Sequence, residues 1–355
     1  MFLSDVLISV ESNGVGRITL NRPDALHALN ESMCSQILKA LTDWATNPDV
    51  FIVLVDHFEG SRGFCAGGDI RMLATSGAGD GQAARQFFAT EYRMNVAIHN
   101  FPKPYVSLLD GVTMGGGVGL SIHGGYRVST ERTLFAMPET GIGLFPDVGG
   151  GWFLPRLEGE LGTWLALTGA RLKGADVAAA GVSTHHIPSE LIANLKTSIQ
   201  QADFSIDATG MIDEILGGLH QQAPEGSFVA NLSAINTCFS ADRAEDIVAA
   251  LQADGGEWAL AQVESLSKKS PRTIKVALRQ LREGARFSRF EDNMANEYRI
   301  GARQVQSADF LEGVRAVIID RDHAPKWNPA RLEDVGDDII ESVFAPLPAD
   351  EELTF

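Results

Sequence analysis

The stretch "FCAGGDI", Phe64–Ile70, decides how this chain is read. Two adjacent glycines cost backbone entropy, so a sequence that places them together needs positive φ or needs backbone to come close to something. Just upstream, "VFIVLVDH" is a β-branched run suited to a strand covered on both faces. A buried strand followed by a glycine turn is a place where a ligand can meet the main chain.

Working outward, the amino-terminal side reads as two strands, "DVLISVES" and "GVGRITLN", joined at Asn13-Gly14, a strong hairpin signal. A helix follows in "ESMCSQILKALTDWATN", with Met33, Ile37, Leu38 and Leu41 on one stripe. The other side repeats the rhythm with a helix in "GQAARQFFATEYRMNVAIHNF", a strand in "PYVSLLDG", a second glycine turn, the apolar run "GVGLSIHG" and short strands in "YRVST" and "TLFAM". Strand, strand, helix units in series predict an α/β spiral core. From about Glu160 helical patterns take over, including "TIKVALRQLREGARF" and "RFEDNMANEYRIGARQ". The expected organisation is a mixed α/β region over 1–200 and a mostly helical region over 201–355, closed by "APLPADEELTF" as a loose tail.

Composition narrows the function. The 355 residues are 45% hydrophobic and 21% charged, an ordinary globular balance that excludes disorder and collagen-like structure. A formal net charge of −17 argues against nucleic acid as a partner. An anionic small molecule fits only if cations gather locally, and Arg22, Arg62, Arg71 and Lys103 lie near the glycine segments. Three cysteines without a CxxC predict a reducing compartment. An amino terminus without a basic, long-apolar leader, and a chain without an 18-residue apolar run, predict a cytoplasmic protein with no membrane anchor.

A second loop, "DGVTMGGGVGLSIHGG" at 110–125, mirrors the first. Three named glycine motifs fail there by single residues. A P-loop lacks its lysine, a dinucleotide fingerprint from Gly115 needs glycine at Leu120, and a nucleophile elbow from Gly119 needs glycine at His123. What remains is a pair of glycine loops, each suited to donating one backbone N–H to an oxyanion, or else simply tight turns packed between strands. Between them and the helical region, "FAMPETGIGLFPDVGGG" sets Glu139 and Asp147 among apolar residues. Desolvation there raises carboxyl pKa values into the range of acid/base work. The plainer alternative makes Glu139 a turn cap and Asp147 a helix cap.

Together these residues resemble the crotonase, or enoyl-CoA hydratase/isomerase, superfamily, with "GFCAGGDI" similar to its first oxyanion loop and "GVTMGGGVGL" to its second. The resemblance implies a crotonase-like spiral of ββα units. It implies an acyl-CoA thioester as substrate and no separate cofactor or metal. The N–H groups of Gly68 and Gly116 would hold the thioester oxygen, and CoA would lie along Ala66, Gly68, Asp69, Ile70 and Arg71. Hydratases of the superfamily carry a glutamate where this chain has Gly119, while their other glutamate matches Glu139. A closer resemblance, through "TLFAMPETGIGLFPDVGGGWFLPRL", "SPRTIKVALRQL", "EYRIGARQ" and "DFLEGVRAVIIDRDHAPKWNPA", is to the branch that hydrolyses short 3-hydroxyacyl-CoA thioesters, 3-hydroxyisobutyryl-CoA of valine breakdown foremost. It implies substrate contacts at Glu91, Gly116, Glu139 and Asp147, although Glu91 reads by composition as an ordinary helix glutamate. It also allows a homo-oligomer.

A hydratase or isomerase of the same fold, and a non-catalytic acyl-CoA-binding protein, are the alternatives. Cys65 as a thiol nucleophile lacks a neighbouring base, and His123, His185 and His186 lack metal-ligand spacing. His27 stands where many members of the superfamily have Asn, a position associated with the CoA entrance.

Overall fold

The structure, a computed structural model, describes residues 4–355; the first three residues of the amino-terminal reading lie outside it. The chain forms two compact units, each assembled from three separate stretches. The first gathers the chain up to Gly68, Arg93–Phe135 and Leu172–Ser227; the second gathers Asp69–Tyr92, Ala136–Arg171 and Phe228–Phe355.

The first unit is built on two sheets. Strands β1 (Val6–Val10), β2 (Val15–Leu20), β3 (Ile52–His57), β5 (Tyr105–Leu109), β7 (Tyr126–Ser129) and β10 (His185–His186) form one in the order β1-β2-β3-β5-β7-β10. The β1–β2 hairpin is antiparallel, with Gly14 at φ +80 in its turn, and the remaining pairings are parallel. Strands β4 (Gly63–Cys65), β6 (Val112–Met114), β8 (Leu134–Ala136) and β9 (Leu172–Lys173) form the second, in that order.

The β-branched run that opened the reading is buried on both faces, as expected. Ile52 and Leu54 join Val15, Val106, Leu108 and Val128 against the helices Ile192–Gln201 and Ala208–Leu219. On β2, Trp44 of the helix Glu31–Thr46 lies so close that a Cβ on Gly16 would stand 2.7 Å from its ring. Each large side chain fully withdrawn from water on these faces contributes about 1.5–3 kcal/mol before entropy is counted. The end of β3 carries the one charge on that strand, Asp56, which accepts from Arg17 at 2.7 Å and Thr19 at 2.6 Å and pairs with Lys196 at 2.9 Å.

The second unit is mostly helical. The first part of the helix Gln82–His99 meets the helix Phe290–Gln304 where Gly301 would place a Cβ 3.3 Å from the Phe88 ring. The helix Pro271–Gly284, capped by Ser270, turns Ile274, Ala277, Leu278 and Leu281 inward. Two expectations change. "GVGLSIHG" supports only the four-residue helix Gly116–Gly119, since glycine is a poor propagator. The tail is not loose: Glu352 accepts from Arg299 at 2.9 Å and Leu353 is buried.

Candidate active site

In the first unit the two glycine loops meet. Ala66 N–H donates to Leu26 O at 3.0 Å and Leu29 N–H to Gly67 O at 2.7 Å, which ties the first loop to the segment before the helix Glu31–Thr46. Gly67 has φ +118, and a Cβ there would stand 3.8 Å from Gly116 N. At Gly117 a Cβ would stand 2.3 Å from Cys65 O, so only glycine lets the second loop lie against β4. Gly116 opens its short helix, where first-turn N–H groups have no intrahelical acceptor. Among the described residues neither the Gly68 nor the Gly116 N–H donates to another backbone carbonyl.

The other predicted residues near these loops are already engaged. Cys65 is buried, with Sγ donating to His27 O at 3.2 Å, which suits a packing thiol and not a nucleophile. His27 is fully buried in the left-handed region. Its Nδ1 accepts from Arg22 N–H at 3.0 Å and its Nε2 lies 2.7 Å from Ser61 Oγ, and burial followed by the charge of His57 pushes its pKa down to about 4. It braces the turn. Lys103 donates to Trp44 O and Asn47 O, both at 2.6 Å, closing the end of the helix Glu31–Thr46. His185 and His186 lie in β10. No group of three or more His, Cys, Asp or Glu suited to a metal occurs among the described residues. A cavity of about 530 Å³ beside the first sheet includes Asp56, Asp110, Arg132 and Lys196, but those two carboxylates are paired with cations.

In the second unit Asp69 caps the helix Ile70–Gly77 by accepting from Met72 N–H at 3.2 Å. Ile70 and Arg71 occupy its first turn, and Arg71 Nη2 donates to Ile318 O at 3.3 Å. Glu139 is the first residue of a 3-10 turn, Glu139–Ile142, whose cap position is Pro138. Asp147 is likewise not a cap; that place belongs to Gly149, ahead of the helix Gly150–Phe153.

The structure brings Glu91, Glu139 and Asp147 into one electrostatic group, all nearly sealed from solvent. Burial pushes Asp147 up to about 7, against the hydrogen bond from Tyr92 Oη at 3.1 Å that pulls it down. Burial, and then the charge on Asp147, hold Glu91 and Glu139 well above the usual carboxylate range. Like charges this close cannot all ionise, so they titrate as one system. One oxygen on each of Glu91 (Oε1) and Glu139 (Oε2) is buried without a partner. Unsatisfied buried carboxylate oxygens are costly.

The sequence reading missed Tyr92 and Glu297. Glu297, on the helix Phe290–Gln304, is fully buried, and burial pushes it up to about 8. A signal was present for both helices. Glu91 follows Phe87 and Phe88, and Glu297 falls between Phe290, Met294 and Gly301, so both glutamates sit on the buried stripe of their helix, where a lone charge is out of place.

A family model described as enoyl-CoA hydratase/isomerase matches residues 15–344. The chain is similar to "3-hydroxyisobutyryl-CoA hydrolase, mitochondrial" of Gallus gallus, 46% identical over 349 residues, covering 97% of this chain and 89% of the relative. The protein of the same name from Homo sapiens is 44% identical over 346 residues, covering 96% and 89%. Among solved structures, a carnitinyl-CoA dehydratase from Mycobacterium thermoresistibile superposes with a TM-score of 0.92 at 38% identity over 99% of both chains. An enoyl-CoA hydratase from Rhodobacter sphaeroides 2.4.1 superposes with a TM-score of 0.89 at 39% identity, covering 99% of this chain and 100% of that one. The expected crotonase-like α/β fold with a helical carboxyl-terminal region holds. The cytoplasmic location does not: the curated relatives are named mitochondrial. A low cysteine count reports a thiol-reducing milieu without saying which one.

Proposed function

We propose a function for a chain that belongs to the enoyl-CoA hydratase/isomerase family: hydrolysis of 3-hydroxyisobutyryl-CoA to 3-hydroxyisobutyrate and free coenzyme A, a step of valine breakdown. The observation that carries it is the buried carboxyl group of Glu139, with an unpartnered oxygen and a pKa raised beside Asp147. Relatives named for this activity over nearly the whole chain support it.

In this reading the N–H groups of Gly68 and Gly116 accept the charge that develops on the thioester oxygen, each worth about 3 kcal/mol of transition-state stabilisation. Glu139 in its ionised form either attacks the acyl carbon, giving a mixed anhydride that water then opens, or takes a proton from the water that attacks. In both routes the C–S bond breaks and the leaving thiolate gains a proton; in the water route the acyl carbon takes its new oxygen from water, while in the anhydride route water opens the anhydride at the Glu139 carboxyl carbon and the acyl carbon keeps an oxygen from Glu139. Asp147, held by Tyr92, binds the substrate hydroxyl or carries that proton. Ala66, Asp69, Ile70 and Arg71 contact the CoA moiety and Glu91 the acyl group. No cofactor beyond the CoA of the substrate enters the chemistry.

The solved structures named for hydration and dehydration favour a second reading, an enoyl-CoA hydratase. Gly119 weighs against it: hydration of this type positions water with two glutamates, and a buried glycine supplies neither oxygen nor charge. Release of free thiol from 3-hydroxyisobutyryl-CoA and 3-hydroxypropionyl-CoA, beside crotonyl-CoA, separates the two. Thiol release from the hydroxyacyl esters is expected; consumption of crotonyl-CoA without thiol release would move the protein to the hydratases. Single turnover in ¹⁸O-water then distinguishes the routes, since only the anhydride route labels Glu139.

A further inference from the structure

Glu297 plays no part in the chemistry above, yet it is a fully buried carboxylate that meets only neutral donors. Its Oε2 accepts from Gly149 N–H at 2.8 Å; its Oε1 accepts from Gly151 N–H and Asn293 Nδ2, both at 2.9 Å, and from Gln280 Nε2 at 3.1 Å. The same Gln280 nitrogen donates to Pro146 O at 2.7 Å. The residues on both sides of Asp147 are therefore fixed from the helices Pro271–Gly284 and Phe290–Gln304.

That anchoring has something to hold. Val148 lies at φ +51, a left-handed conformation that a β-branched residue rarely adopts, and it is the residue next to Asp147. Gly151 could carry no side chain, because a Cβ would stand 2.6 Å from Asn293 Oδ1. The main chain lies flat against the carboxylate. A backbone held out of its preferred region persists where its surroundings over-determine it.

We propose that Glu297 is a positioning residue for Asp147, fixing the Val148–Gly151 main chain so that the Asp147 carboxylate keeps one orientation and one electrostatic setting. This rests on the reading that Asp147 serves the reaction. The ionisable groups that face the pair are Glu91 and Tyr92 from the helix Gln82–His99, Glu139 from its 3-10 turn, and Asp147 and Glu297 themselves. None is a cation. Asp147, pushed up to about 7, ionises before Glu297, pushed up to about 8, so Glu297 acts on Asp147 through the main chain it holds and not through a charge.

The test compares Glu297→Gln and Glu297→Asp with Asp147→Asn and the unaltered protein, following thiol release from 3-hydroxyisobutyryl-CoA across pH. A glutamine offers one acceptor oxygen and turns an NH2 towards the other backbone N–H. The expected result is a fall in kcat of about 10- to 100-fold with KM within about 3-fold and the acid limb unmoved. Glu297→Asp should lose kcat as well, since it keeps the carboxyl group and loses the reach. If Glu297→Gln does not fold, a folded Glu297→Asp with unaltered kcat overturns the proposal by itself. Unaltered kcat in Glu297→Gln, with Asp147→Asn inactive, also overturns it. If Asp147→Asn keeps full turnover, the reading of Asp147 fails first and this inference goes with it.

Discussion

Two groups of buried carboxylates occupy the two units, and they are built in opposite ways. Asp56, at the end of β3, is 1% exposed and faces Arg17, Lys196 and the Thr19 hydroxyl. Burial alone would raise its pKa, but Lys196, Arg17 and Thr19 prevail and hold it below the usual value. Glu91, Glu139, Asp147 and Glu297 are as deeply buried, and every shift among them is upward. A paired buried charge serves the architecture. An unpaired group works against stability and is retained where proton transfer or an anionic attack needs it.

The sharpest way to break this contrast is Glu139→Gln. Turnover should fall by about 10³-fold or more while the melting temperature rises by about 1–3 °C, because an uncompensated acid is gone; full activity would return Glu139 to a structural role. Lys196→Met should do the reverse, costing about 2 kcal/mol by leaving Asp56 with Arg17 alone, with kcat unchanged. Denaturant unfolding and a thiol-release assay on the same preparation check both halves.

The pH dependence of stability sharpens the contrast further. Asp147 and Glu297 have folded pKa values of about 7 and about 8, above their unfolded ones, so their contribution is fully present below about pH 4 and is lost as pH rises through those values. Asp56 is depressed, so its contribution is present above its unfolded pKa and lost as pH falls through the folded one. Melting temperatures should be highest near about pH 4 and fall as pH rises towards about 8, and Asp147→Asn should flatten that alkaline fall only. The smallest effect is expected from Tyr92→Phe. Losing one donor to Asp147 should raise its pKa above about 7 and lower kcat about 5-fold, read as a shift of the acid limb to higher pH.

How much of this was legible depends on the range over which each signal acts. The β1–β2 hairpin, β3 and the helix Glu31–Thr46 follow from residue periodicity and turn chemistry, which are local, and the structure keeps them. Glu139 and Asp147 stood out because their immediate neighbours are apolar. Glu297 did not, because the groups it serves, Gly149 and Gly151, lie far from it along the chain. Glu91 and Tyr92 are met by Asp147 only after folding, and by composition they belong to an ordinary helix.

That each unit is assembled from three separate stretches has a consequence for biosynthesis. At about 5–20 residues per second, the stretch that completes the first unit, Leu172–Ser227, leaves the ribosome on the order of ten seconds or more after Gly68. Throughout that interval β3 has been made, but the helices Ile192–Gln201 and Ala208–Leu219 that cover one of its faces have not. A β-branched strand with one face left uncovered is an aggregation hazard. A nascent chain stalled before residue 192 should therefore be a substrate for chaperones, whereas one stalled beyond residue 227 has both covering helices in hand.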